Sequence, residues 1–261
     1  MRTANIAARM ARNVRPPLPP RMGETSCYGP PPITALAAAF VKCRDLDAPL
    51  NERLEAYSKA VRDLIPAYAD AVDRLVARLS RSDAGAGAPQ PGELMPSFVL
   101  PDETGRLTSL EALLNDGPLA ITFHRGHWCP WCRISASALA KVQNEIMGTG
   151  GQVAAVMPER QAFAAEFKVN TGSQFSVLTD MDNGYALSLN LAIWIGPDLV
   201  ELLSSFGRFL PDYQGNDTWM LPIPATFVVG RDGRVTARFV DPDFRRRISV
   251  EELIAALEAA R

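Results

Sequence analysis

The sequence predicts an α/β fold: a central mixed sheet flanked by helices and preceded by a helical N-terminal extension. Three observations carry that expectation. From Phe98 onward, short apolar runs alternate with segments of helical period. The last two runs, Ala225 to Val229 and Val235 to Val240, flank Arg231-Asp232-Gly233-Arg234, a hairpin turn signal. Ahead of this alternation, Leu54, Tyr57, Val61, Leu64, Tyr68, Val72, Leu75 and Leu79 recur at steps of three and four, a stripe along one helix face.

The elements follow in order. Residues 1–32 form a basic, Pro-rich segment. Arg2, Arg9, Arg12, Arg15 and Arg21 meet no acid in the first 22 positions, and seven prolines oppose regular structure. The stretch lacks the apolar core and small-residue cleavage pattern of a secretory signal, so it is read as a disordered tail. Helical pattern covers 33–44 and 50–81, with Pro66 expected to kink the second segment or divide it. The stripe is expected to pack on the chain's own domain; the alternative is a second copy of the chain, a homodimer. Residues 82–92, rich in Gly, Ala and Pro, read as a linker between this extension and a domain over 93–261.

Within that domain, Phe98 to Leu100 reads as a strand before a Thr104-Gly105 turn. Leu119 to His124 is an apolar strand, 130–147 a helix, Gln152 to Met157 a strand, 159–169 a helix and Phe175 to Leu178 a strand. Residues 183–191 and 198–209 read as helical. A closing helix over 249–260 begins at Ser249 with Glu252 three positions on, a capping box. Parallel pairing at the centre and antiparallel pairing at one edge follow from this order.

Composition narrows the function. A net charge of -2 gives no field favouring nucleic acid or an anionic membrane surface. No apolar run approaches the roughly 20 residues that span a bilayer. A cytoplasmic location is expected. Of the four cysteines, Cys27 and Cys43 are isolated and read as plain thiols. Cys129 and Cys132 stand at C-x-x-C spacing, which outside a secreted scaffold points to redox chemistry or metal binding.

The pair lies in Phe123-His124-Arg125-Gly126-His127-Trp128-Cys129-Pro130-Trp131-Cys132-Arg133, after a buried strand and at the opening of a helix. A helix N-terminus presents free N–H groups and partial positive charge, which favour a thiolate, the nucleophilic form. Cys129 is expected to be exposed there, with Cys132 one turn below; sulfurs sealed beneath side chains with no route to solvent would remove the functional reading. Arg125, His127 and Arg133 are candidates for added positive charge. The rival reading is a metal-binding or redox-sensing module without turnover, with His124, His127, Cys129 and Cys132 as the candidate metal ligands. It is disfavoured because a strand end and a helix start would have to converge on one ion. Far along the chain, Ile223-Pro224 stands just before a strand, and Pro224 is expected to follow a cis bond.

From Gly92 to the end the sequence resembles the alkyl hydroperoxide reductase/thiol-specific antioxidant family, a peroxiredoxin-like branch of the thioredoxin superfamily. The resemblance rests on Gly92-Glu93-Leu94-Met95-Pro96-Ser97-Phe98, on Trp128-Cys129-Pro130-Trp131-Cys132, on the strand–turn–strand after Pro224, and on Asp241-Pro242-Asp243-Phe244. It implies a thioredoxin-like fold and a thiol oxidoreductase that needs no cofactor. Such an enzyme reduces a small hydroperoxide or a disulfide through a Cys129–Cys132 disulfide, which a thioredoxin-like or low-molecular-weight thiol re-reduces.

The chain also departs from the family. Aligning the peroxidatic position of P-x-x-x-T-x-x-C with Cys132 puts Cys129 at the Thr and Arg125 at the Pro, and Pro224 stands where a distant Arg is expected. Peroxiredoxin logic makes Cys132 the attacker and thioredoxin logic makes it Cys129; the helix-start argument favours Cys129. Trp128, Pro130 and Trp131 are expected at the rim of the site. Ile223 and Pro224 are expected to hold an extended substrate segment or shield the disulfide.

Overall fold

The computed structural model describes residues 32–261. The tail expected over 1–32, Pro32 apart, and Cys27 lie outside the described residues. The extension is three helices: α1 (Ile33–Arg44), α2 (Leu50–Leu64) and α3 (Pro66–Arg81). The break falls at Ile65, whose φ of -142° leaves the helical region, because a residue before proline clashes with the ring in the α conformation. Pro66 then opens α3, where its missing N–H costs nothing.

Five strands form the main sheet: β3 (Leu119–Phe123), β4 (Gln152–Met157), β5 (Ser176–Thr179), β8 (Ala225–Val229) and β9 (Val235–Val240). Their order is β5-β4-β3-β8-β9, with β3, β4 and β5 parallel and β8 antiparallel to both β3 and β9. This is the thioredoxin-like arrangement. β1 (Val99–Pro101) and β2 (Leu107–Ser109) make a separate hairpin, closed where Asp102 Oδ1 accepts from the amides of Thr104 and Arg106. β6 (Ala192–Trp194) and β7 (Met220–Pro222) pair as a second small ladder.

The remaining helices are α4 (Leu110–Asp116), α5 (Pro130–Lys141), α6 (Gln143–Gly148), α7 (Gln161–Thr171), α8 (Gly184–Ser188), α9 (Pro197–Ser205), α10 (Leu210–Gln214) and α11 (Val250–Ala259). The single helix expected over 130–147 is two, since Val142 at φ -104°, ψ 13° turns the chain. The helix expected over 183–191 shrinks to five residues, because Asp182 and Asn183 both take positive φ. The capping box at Ser249 and Glu252 forms as its spacing predicts.

Alternation along the strands divides the core. Leu119, Ile121 and Phe123 face one layer with Phe227, Tyr185 and Ile223, while Ala120 faces the other with α5 and the extension. Leu54, Tyr57, Val61, Tyr68, Val72, Leu75 and Leu79 are buried in that second layer, so the stripe packs within the chain. At roughly 1.5–3 kcal/mol for each large side chain buried, this stripe is a major hold on the extension. Residues 82–92 run as turns along β9: Gly92 N–H donates to Val235 O at 2.7 Å, and Arg238 reaches Ala88 O at 2.8 Å. No described helix is long and apolar enough to cross a membrane.

Candidate active site

β3 delivers the chain to the site. His124 N–H continues the ladder to Val156 O at 2.8 Å, then Gly126 turns at φ +144°. A side chain at Gly126 would stand 2.5 Å from Glu159 Oε1 and 2.6 Å from Trp128 Nε1, so this bend takes only glycine. Cys129 is the N-cap of α5 and Pro130 its first residue, where the helix start was expected.

The expected exposure of Cys129 is not found. Cys129 and Cys132 are both 0% exposed, because the extension closes over the start of α5. Trp131 Nε1–H donates to Ser58 Oγ on α2 at 2.9 Å, and its ring packs edge-on to Tyr57 and Phe244. The two thiols are free and differ sharply. Burial pushes Cys129 up, but the Cys132 thiol, the Arg125 guanidinium, the Cys132 amide and Arg247 together bring it below an ordinary thiol. Burial and the neighbouring Cys129 push Cys132 well above that value. Cys132 Sγ accepts from Arg125 N–H at 3.3 Å and from Arg247 Nη2 at 3.6 Å.

Arg125 supplies the charge and is itself unusual. It is 2% exposed, stacked 3.7 Å over Phe244, and neither Nη is paired to a carboxylate among the described residues. Burial raises the phenols of Tyr68 on α3 and Tyr57 on α2; at Tyr68 the charge and hydrogen bonding of Arg125 oppose it, and the Cys129 charge adds to it at both. An N-cap thiol held below its ordinary value, a buried guanidinium beside it and a second thiol one helical turn away are the groups that a thiol nucleophile requires.

His127 is not at the sulfurs. Its Nδ1 lies 2.9 Å from Glu159 Oε1, its amide donates to Oε2 at 2.7 Å, and its ring stacks on Phe163. Arg133 points to the extension, 4.4 Å over Phe40. The expectation for Ile223 fails as well: it belongs to the opposite core layer and packs against the 82–92 turns, its Cδ1 3.3 Å from where a Cβ on Gly85 would be. Pro224 follows it, buried, on a trans bond, since no described peptide is cis. Ile223 N–H reaches Leu191 O at 2.7 Å and the chain passes directly from β7 into β8 in the extended form that precedes proline. Among the described residues, no three His, Cys, Asp or Glu side chains group to hold a metal ion. His124 Nε2 lies 3.1 Å from Thr122 Oγ1, and the ring also stands against Cys132, where it partly offsets the upward push on that thiol.

Arg247, Glu159, Phe244, Tyr57 and Tyr68 are site neighbours that the sequence reading did not select. Asp241-Pro242-Asp243-Phe244 drew attention only as a family motif. It forms the turn, with Asp243 N–H on Asp241 Oδ1, that brings Phe244 and Arg247 to the cysteines.

A model of the Redoxin family matches residues 90–257, more than half of the chain. No curated protein matches it. Among solved structures it is similar to peroxidoxin BcpB from Mycobacterium tuberculosis, at 20% identity over 66% of this chain and 99% of that one, with a TM-score of 0.52. A mutant of peroxiredoxin 6 of Arenicola marina matches at 15% identity over 65% and 72% of the two chains, TM-score 0.51. A yeast mitochondrial 1-Cys peroxiredoxin matches at 16% identity over 65% and 75%, TM-score 0.51. These likenesses show a shared fold.

Proposed function

The chain belongs to the Redoxin family, and on that premise we propose that it is a peroxiredoxin-like thiol peroxidase in which Cys129 attacks and Cys132 resolves. The observation that carries this is the seat of Cys129 at the N-cap of α5, with Arg125 and Arg247 lowering its thiol and Cys132 one helical turn on. The Cys129 thiolate attacks one peroxide oxygen, the O–O bond breaks, and the departing oxygen takes a proton to leave as an alcohol or water. Sulfur is oxidised to the sulfenic acid. The Cys132 thiol then condenses with it, releasing water and forming the disulfide. An external thiol donor, a thioredoxin-like protein or a low-molecular-weight thiol, supplies two electrons and two protons to restore both thiols.

The guanidinium of Arg125, buried beside Tyr68 with neither Nη paired to a carboxylate, supports a peroxide over a disulfide as oxidant, since it can receive a polarised oxygen in place of the Arg missing near Pro224. Complete burial of both sulfurs also favours a small oxidant over a protein disulfide. Access then requires Trp128 or the extension to move aside from Cys129. The test is stopped-flow oxidation of the reduced protein by hydrogen peroxide and by a small disulfide. Fast oxidation by peroxide, a product about 2 Da lighter, and arrest at the sulfenic acid in Cys132→Ser are expected. Fast exchange with the disulfide and inertness to peroxide would overturn the reading.

A further inference from the structure

We propose that the cavity between the N-terminal helices and the start of α5 is a binding site for an apolar monocarboxylate, received by Arg133 and Arg208. The cavity has a volume of about 220 Å³. Its walls are largely apolar, among them Leu36, Phe40, Val61, Ile65, Leu203 and Phe206, and its floor is Trp128, Pro130 and Trp131 of the cysteine motif itself. Of the described residues lining it, Arg133 and Arg208 alone are charged, and no described acid joins them.

Neither guanidinium forms an ion pair with a carboxylate among the described residues, and Arg133 Nε is buried without an acceptor. Burial, Arg44 and Arg208 depress Arg133 more than Glu166 restores it, so the wall holds uncompensated positive charge. A neutral apolar occupant leaves that charge unmet and a cation adds to it. An anion with an apolar body satisfies both surfaces. At about 30 Å³ per water-sized group the space suits on the order of seven to ten heavy atoms, a medium-chain or aryl acid rather than a long lipid.

The cavity also adjoins the chemistry. Tyr57 and Tyr68 line it and both sense the charge on Cys129. That the bound acid carries the hydroperoxide rests on the peroxidase reading; the binding itself does not.

The test follows tryptophan emission of the reduced, full-length protein, since Trp128 and Trp131 form the floor. Octanoate, octanol and octyltrimethylammonium are titrated below their micellar concentrations. Octanoate is expected to bind saturably and about tenfold or more tightly than either analogue. Arg133→Gln and Arg208→Gln are each expected to weaken octanoate roughly tenfold while leaving octanol unchanged, with partial recovery in Arg133→Lys. Cys129→Ser is expected to bind octanoate as the unaltered chain does. Equal binding of all three amphiphiles, or no saturable change with octanoate, would overturn the proposal without recourse to any variant. If octanoate binds as expected and no hydroperoxide is reduced, the peroxidase reading falls and the site stands.

Discussion

On one face of the central sheet Ile121, Phe123 and Phe227 meet Tyr185 and Ile223 in a layer of large apolar side chains. The polar group there is answered: Tyr185 O–H donates to Pro96 O at 2.8 Å. On the other face β3 offers Ala120 and Thr122, β4 offers Ala155, and the space so left is taken by His124, Arg125, Cys132 and Arg247. Here buried polar atoms go without geometrically formed hydrogen bonds among the described residues: His124 Nδ1, both Arg125 Nη atoms, Trp128 Nε1 and Arg247 Nε. Each such atom costs on the order of 1–3 kcal/mol against a paired one. The first layer is built for stability. The second gives some stability up and holds donors and positive charge beside Cys129 and Cys132, and the extension helps to close it from water.

The sharpest way to break that division is to exchange one residue from each layer. Cys129→Ser is expected to lower peroxide turnover about a thousandfold or more, measured as peroxide consumption with a dithiol donor. Phe227→Ala is expected to lower unfolding free energy by about 3–5 kcal/mol in urea, yet to leave thiol chemistry per folded molecule unchanged. The readout for that chemistry is alkylation against pH. Cys129 is depressed below an ordinary thiol, so alkylation should hold its plateau below the usual thiol range and fall only as pH drops through the depressed value. A Phe227→Ala protein with a shifted profile would mean that the two layers are coupled.

A smaller effect is expected at Glu159, which holds the loop between β3 and Cys129. Glu159→Ala leaves the His127 amide without its acceptor and is expected to cost about 1–3 kcal/mol in urea. Burial raises Glu159 above an ordinary carboxyl despite His127. A raised folded value means stability that is present below the unfolded value and lost as pH rises through the folded one. Glu159→Gln, which stays neutral, should therefore show less of that loss than the unaltered chain.

What the sequence made legible was local. The break at Pro66, the box at Ser249 and Glu252, the hairpin at Asp232-Gly233 and the placement of Cys129 at a helix start each depend on residues a few positions apart. The sealing of the cysteines depends on Ser58 meeting Trp131 across 73 positions, and the positive charge beside Cys132 on Arg247 across 115. Neither leaves a periodic trace. The β6–β7 ladder escaped notice because three-residue strands are too short to show alternation. Residues 82–92 carry a linker's composition, yet their carbonyls and amides are tied down by Arg238 and Val235, contacts that composition does not encode. Ile223 lies in the layer opposite the cysteines, a placement its position before Pro224 leaves open, because a proline before a strand does not fix which face of the sheet its neighbour takes.

The finest test of the division lies at Ser58, where the extension grips the cysteine motif. Ser58→Ala removes the acceptor of Trp131 Nε1–H, a half-buried bond expected to be worth about 1 kcal/mol, the smallest of these effects on stability. Its effect on access is expected to be larger in proportion. If Cys129 is reached only when Trp131 and Tyr57 part, weakening the closed form by about 1 kcal/mol raises the open population roughly fivefold, and alkylation at fixed pH should quicken by that factor. The pH midpoint should stay where it is, since the groups that set the charge on Cys129 are untouched. A faster rate with an unchanged midpoint separates the hinge from the electrostatics; a moved midpoint would mean that the extension tunes the thiolate as well as covering it.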